Sequence, residues 1–223
     1  MKKNTNKGLL AFSIIIILLL IDQVSKIWVK THMSLYESIN ITDWFKIYFV
    51  ENPGMAFGIE LGGKIFLTLF RIVVAVIATI YMVRLIHQEY KTGFIVCIAL
   101  IIAGAAGNIF DSIFYGAIFS ESYSGHIASF VPFGEGYSSV FHGNVVDMLY
   151  FPLFQGNWPD WIPLIGGQHF EFFRFIFNIA DSCITIGVIL LLLFYRKSFS
   201  FSLMSKKEKE KYLANKETES NEA

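Results

Sequence analysis

Seven polar side chains stand where an apolar chain has little use for them. Asp22 and Lys26 interrupt a hydrophobic run over residues 8–29, Asn108 and Asp111 close another over 94–115, and Asn178 with Asp181 lie inside a third over 172–195. Asp147 is the acid in Asn144-Val145-Val146-Asp147-Met148-Leu149-Tyr150-Phe151-Pro152. An ionisable group within a bilayer costs about 2.5–3.5 kcal/mol on insertion scales, so each should face a protein interior and have a partner or a task. Asp22 and Lys26 are one helical turn apart and can pair on one face. Two carboxylates that share a site cannot both ionise easily: one keeps a proton while the other activates water. That is the arrangement for hydrolysing an amide without a metal or a nucleophilic side chain, and Asp147 beside a second acid would supply it. A plainer reading gives each acid a structural partner, such as Arg174 for Asp181. The occurrence of the whole set at one depth, joined by Asn108 and Asn178, favours a shared polar site.

The elements that must position these groups are membrane spans. Of the 223 residues 54% are hydrophobic and only 16% charged, and mean hydropathy is +0.53. An ordinary soluble domain is roughly a quarter charged. Spans of about 20 residues fit 8–29, 65–87, 94–115 and 172–195. The fold class expected is therefore an all-α membrane protein of four spans, as one integral domain over 1–204, with a charged tail over 205–223 whose alternating Lys and Glu predict disorder. The first run also fits the basic and apolar regions of a secretory signal peptide, although no small-residue cleavage site follows it.

Orientation follows from the short-loop cations. Lys2, Lys3 and Lys7, then Arg84 and Lys91, then Arg196 and Lys197 mark three flanks as cytoplasmic, and no Lys or Arg occurs between Lys91 and Arg174. Both termini are then inside, and the two loops outside cover about 30–64 and 116–171. The cation-free stretch also excludes a nucleic-acid surface there. Residues 41–50 read as one or two short strands ending at the Pro53-Gly54 turn. In this topology every intramembrane charge falls in the outer half. Asp181 lies roughly 13 Å below the start of its span at 1.5 Å per residue, and Arg71 and Arg174 lie near the entries of spans two and four.

Other chemistries find less support. The histidines at 32, 87, 126, 142 and 169 form no His-Glu-x-x-His pair, which argues against a zinc protease. Ser25 has Lys26 next to it, but Lys26 already has Asp22 one turn away. Cys97 and Cys183 are too far apart in depth for a disulfide, and Asn40-Ile41-Thr42 matches a glycosylation acceptor only by a short pattern.

The motifs in order resemble the bacterial lipoprotein signal peptidases, or signal peptidase II. They are Asp22-Gln23-x-x-Lys26, Asn52-x-Gly54-x-Ala56-Phe57-Gly58, Gly107-Asn108-x-x-Asp111, Val145-Val146-Asp147, and Phe177-Asn178-x-Ala180-Asp181-Ser182. The resemblance implies an intramembrane aspartyl endopeptidase that removes signal peptides from lipid-modified prolipoproteins, cutting before the lipid-modified Cys. It implies Asp147 and Asp181 as the catalytic pair, with Asp22, Lys26, Asn52, Gly54, Asn108, Asp111 and Asn178 as supporting or substrate-contacting positions. It further implies no metal or cofactor, a small extracytoplasmic sheet, an inner-membrane location with the site toward the outer leaflet, membrane lipid as a partner, and a monomer. Two departures stand out. Ser112 occupies a place where the family usually has Arg, for which Arg71 or Arg174 could substitute, and the outer loop is expanded over 117–142 and 153–168. The competing functions are a small ion- or proton-coupled transporter, which needs polar groups at and below the midplane, and a non-enzymatic assembly protein, which leaves Asp147 and Asp181 without purpose.

Overall fold

The computed structural model describes residues 2–54, 63–172 and 174–221. Helix α1 (Lys2–His32) leads into a hairpin of β1 (Ser38–Thr42) and β2 (Phe45–Asn52); α2 (Lys64–His87) and α3 (Thr92–Phe110) follow. The chain then makes a π-helical turn over Asp111–Tyr115 and a last helical stretch, α4 (Gly116–Ile118). Beyond it come β3 (Val145–Tyr150), β4 (Phe154–Asn157), β5 (His169–Phe172), β6 (Ile176–Phe177), α5 (Ile179–Phe194), α6 (Arg196–Leu203) and α7 (Lys206–Asn221). Three helical stretches, 4–32, 64–87 and 92–118, are long and apolar enough to cross a membrane, and α5 with α6, bent by 88°, makes a possible fourth. The fold is thus mostly helical, with three to four candidate spans and a small sheet.

Close helix approach comes from small residues, as is usual where lipid offers no hydrophobic drive between helices. A Cβ on Gly104 of α3 would lie 2.1 Å from the Ala180 carbonyl oxygen of α5, and one on Gly187 would lie 2.8 Å from that of Cys97. At one end of the bundle Phe94, Leu85, Ile95, Ala99 and Leu191 form a buried cluster, against which Tyr81 and Phe199 pack. At the other, Val29, Met33, Phe49, Tyr115, Phe119, Val146 and Met148 form a second. The large exposed apolar side chains of α2, including Phe66, Phe70, Val73, Ile77 and Ile80, form the face that lipid would cover.

Sheet order is β1-β2-β3-β6. The pairing is antiparallel, and its register sets Val50 opposite Asp147 and Asn52 opposite Val145. β6 pairs Phe177 with Leu149, which brings the start of α5 to the same strand that carries Asp147.

The structure corrects three expectations and gives a shape to one loop expansion that the sequence left open. The fourth helix begins at Ile179, not at 172, because Asn178 caps it, and Phe172, Ile176 and Phe177 before it belong to strands β5 and β6. Lys30 does not open a loop: it lies within α1 and is fully buried. The expansion over 153–168 contributes to a hairpin, β4 pairing β5 from Phe154↔Phe172 to Asn157↔His169. The tail expected to be disordered is helical over Lys206–Asn221; the Ser205 N–H donates to Glu208 Oε2 at 2.7 Å and the Glu208 N–H to Ser205 Oγ at 3.4 Å, a reciprocal capping box.

Candidate active site

Strand β3 holds Asp147 almost wholly buried, at 5% exposure. Two residues on from Val50 in the facing strand, Asn52 hydrogen-bonds the Asp147 carboxylate, and the Asn52 Oδ1 accepts the Gly54 N–H at 2.9 Å. Gly54 has φ of +103°, a conformation that glycine adopts without steric cost. That turn is what aims Asn52 at β3.

The fourth helix is started by the site itself. Asn178 Oδ1 accepts the Asp181 N–H at 2.8 Å, and Asp181 Oδ2 accepts the Asn178 N–H at 3.3 Å. The Ala180 N–H of the same first turn donates 2.9 Å to Asp22 Oδ1 on α1. These bonds serve backbone donors that a helix cannot satisfy internally. The amide of Asn178 then reaches across to β3, with Nδ2 2.7 Å from Asp147 Oδ1 and 3.1 Å from Asn108 Oδ1. Asn108 Nδ2 in turn donates to Asp181 Oδ1 at 2.8 Å. Two neutral amides thus hold two carboxylates in one place.

Beneath them Lys26 is wholly buried and uses all three of its donors. Its Nζ lies 2.9 Å from Asp22, 2.8 Å from Asp111 and 3.0 Å from Asn108 Oδ1. Gln23 Nε2 bridges the same two acids, at 3.1 Å to Asp22 and 2.8 Å to Asp111. Asp111 Oδ2 also accepts the Val146 N–H at 3.3 Å, so the residue before Asp147 is tied to the turn that follows α3. Asp111 stands at the first residue of the π-helical turn, a local rewinding frequent at functional sites.

Asp147 differs electrostatically from an ordinary carboxyl. Burial, and next the charge of Asp181, push its pKa up to about 7, against the pull of Lys26 and the hydrogen bonds from Asn178 and Asn52. A carboxyl that keeps its proton near neutrality beside a carboxylate is suited to acid–base work on a polar bond.

All the residues singled out from the sequence, Asp22, Lys26, Asn52, Gly54, Asn108, Asp111, Asp147, Asn178 and Asp181, belong to this network or the turn beside it. Ala56, Phe57 and Gly58 of the second motif lie outside the described residues. Arg174 is exposed and is not the partner of Asp181. Arg71, by contrast, reaches Ser112, its Nη1 3.4 Å from the hydroxyl oxygen. Among the described residues no three His, Cys, Asp or Glu are grouped to hold a metal ion, and Cys97 and Cys183 are separate buried thiols.

The sequence reading missed a second buried polar cluster. Lys30 pairs with Glu51 and lies 2.9 Å from Ser122 Oγ, and its Nζ stands 5.4 Å and 4.9 Å from the centres of the Phe119 and Tyr137 rings. Asn144 Nδ2 donates to Glu51 at 2.8 Å, and Lys64 Nζ to Asn144 Oδ1 at 2.7 Å. The available signal was Lys30 standing four residues after Lys26, on the same helix face.

These elements bring four acids and two amides together in a buried polar network between apolar helices and a small sheet. The chain belongs to the signal peptidase II family, whose model, described as Signal peptidase (SPase) II, matches residues 14–197. The lipoprotein signal peptidase of Porphyromonas gingivalis is 54% identical over 202 residues, covering 90% of this chain and 89% of that protein. That of Amoebophilus asiaticus is 37% identical over 194 residues, covering 84% and 78%. A bacterial membrane enzyme structure obtained in meso at 2.3 Å matches with TM-score 0.54 and 25% identity, over 88% of this chain and 93% of that one. A second, at 1.9 Å, matches with TM-score 0.53 and 27% identity, over 82% and 90%. The family is one of proteases, which does not favour a transporter.

Proposed function

We propose that the chain is an aspartic endopeptidase that removes signal peptides from lipid-modified prolipoproteins, cutting before the diacylglyceryl-cysteine, with Asp147 and Asp181 as its catalytic pair. The observation that carries this reading is the bridge through Asn178, whose side chain bonds Asp147 and caps Asp181. Asp147, the more buried acid, holds the proton. Asp181 takes a proton from water, and the hydroxide so formed attacks the scissile carbonyl carbon while Asp147 protonates the carbonyl oxygen. The diol intermediate collapses with rupture of its C–N bond as the proton on Asp181 passes to the departing amine of the lipid-modified Cys and one diol hydroxyl returns its proton to Asp147. Asn178 and Asn108 hold the two acids; Lys26 with Asp22 and Asp111 sets the floor beneath them, and Asn52 and Gly54 form the turn on the far side of β3. No metal or cofactor takes part.

In this reading the chain acts as a monomer, its domain over 1–204 crossing the inner membrane four times with α5 as the fourth span. Both termini are cytoplasmic, and the site opens toward the outer leaflet amid membrane lipid. The cations flanking 8–29, between α2 and α3, and after α5 support that orientation. The deciding experiment is to incubate the detergent-solubilised protein with a diacylglyceryl-modified precursor and follow the released signal peptide on a gel. Cleavage of the peptide bond on the N-terminal side of the modified Cys is expected; an uncut precursor, or cleavage that needs an added metal, would refute the proposal. Reporter fusions after Lys91 and near Gly136 should report opposite sides of the membrane.

A further inference from the structure

Arg71 lies seven residues into α2, about 10 Å from its start at the helical rise, and it is only partly exposed. A guanidinium carries five N–H donors in a fixed planar fork. Among the described residues its hydrogen-bond partner is the Ser112 hydroxyl, at 3.4 Å, and no carboxylate lies within ion-pair distance of it. Ser112 spends its own proton on the Asn108 carbonyl, 2.8 Å away. The guanidinium is nevertheless within electrostatic reach of Asp181, Asp147 and Asp111.

Those carboxylates have other partners. Asp111 accepts from Lys26, Gln23 and the Val146 N–H, Asp181 from Asn108 and the Asn178 N–H, and Asp147 from Asn178 and Asn52. A charge at this depth is costly unless its donors are met. The protein places an arginine beside its paired acids, and among the described residues most of the fork has no acceptor. An acceptor must come with whatever occupies the site, and a peptide threaded past Asp147 and Asp181 presents a carbonyl oxygen at every residue.

We propose that Arg71 is a substrate-binding residue, its guanidinium donating to backbone carbonyl oxygens of the precursor next to the scissile bond. The proposal rests on the function given above, and it deepens that reading by naming how the peptide is held. A bond of this kind is present before and during the reaction, so its loss weakens binding without slowing the bound complex.

The test is steady-state cleavage of a diacylglyceryl-modified precursor by wild type, Arg71→Lys and Arg71→Ala, with kcat and KM separated. Wild-type cleavage in the same assay reads the underlying function independently. Arg71→Ala should raise KM about tenfold or more, the range expected for a hydrogen bond to a charged group, with kcat within about threefold. Arg71→Lys should fall between, since it keeps the charge and loses the fork. A precursor carrying an ether-linked lipid, which has no ester carbonyl, should show the same dependence on Arg71. The idea fails if KM is unchanged, if kcat falls and its pH profile moves instead, or if the effect appears only with ester-linked lipid. If Arg71→Ala does not fold, Arg71→Lys and Arg71→Gln of wild-type melting temperature decide, and an unchanged KM in both overturns the assignment.

Discussion

Asn178 donates to Asp147 across a 2.7 Å bond while it caps the helix that carries Asp181. One amide therefore couples a strand to a helix start, and the distance between the two acids depends on it. Asn178→Ala should lower stability by about 1 kcal/mol through loss of the cap. Turnover should fall much further, by about a hundredfold, because misplacing reacting groups by an ångström has that effect. Thermal unfolding and precursor cleavage on the same sample would separate the two; equal, small losses would make the bridge merely structural.

Asp147→Asn and Asp181→Asn should each abolish cleavage while leaving insertion intact. Asp111→Asn is the informative contrast, since Asp111 is at least as buried but is occupied by Lys26, Gln23 and the Val146 N–H. It should reduce folded yield and keep part of the turnover. The double variant of Asp147 and Asp181 should be no worse than either single one, as expected for groups that act as a unit.

The pKa of Asp147 gives a pH dependence of defined sign. Between the ordinary carboxyl value of about 4 and its own value of about 7, the folded state binds a proton that the unfolded state has released. Stability must then fall as pH rises through that window, and the contribution is gone above it. Wild type should lose melting temperature relative to Asp147→Asn between about pH 4 and pH 8. On the assignment of Asp147 as acid, kcat/KM should also decline above about pH 7. A flat difference between the two proteins would remove the proton from Asp147.

Replacing either buried lysine leaves a carboxylate uncompensated, at a cost of about 3–5 kcal/mol. Lys26→Met and Lys30→Met should therefore both lower the yield of folded protein. In the fraction that folds, Lys26→Met should lose turnover because Lys26 orients Asn108 against Asp181. Lys30→Met, whose partners are Glu51 and Ser122, should lose less.

Gly104 is predicted to be intolerant of the smallest possible addition. The Cβ of Gly104→Ala would meet the Ala180 carbonyl oxygen at 2.1 Å, so α5 must move, and with it Asp181. Destabilisation of about 1–3 kcal/mol should accompany a loss of activity larger than that of Gly8→Ala, where the added methyl meets nothing within 4 Å.

Much of the site was legible because spacing and polarity survive without coordinates. Asp22 and Lys26 at four residues' separation on an apolar run predict the 2.9 Å pair, and a lone acid in Val145-Val146-Asp147-Met148 cannot be accidental in a buried strand. What escaped depends on distance along the chain. Lys30 read as the end of a span because its partner Glu51 is on another element, and burial of an ammonium cannot be inferred without that partner. The start of the fourth helix was lost for a different reason: an aromatic-rich stretch, interrupted only by Glu171 and Arg174, leads from β5 and β6 to α5, and the cap at Asn178 marks the change. The tail carries too little hydrophobicity to suggest a core, and its helix rests on a local capping box.

The bond from Ala180 to Asp22 joins the first helix of the chain to the last of its long apolar ones. During synthesis Asp22 enters the membrane long before Ala180 exists, and Lys26, one turn away, is the companion already made. The site is consequently assembled last, when α5 arrives to take up the waiting carboxylate and to bring Asp181 beside Asp147. A ribosome-bound intermediate lacking that helix has no such pair of acids, so on the proposed mechanism the enzyme gains its activity only once α5 is in place.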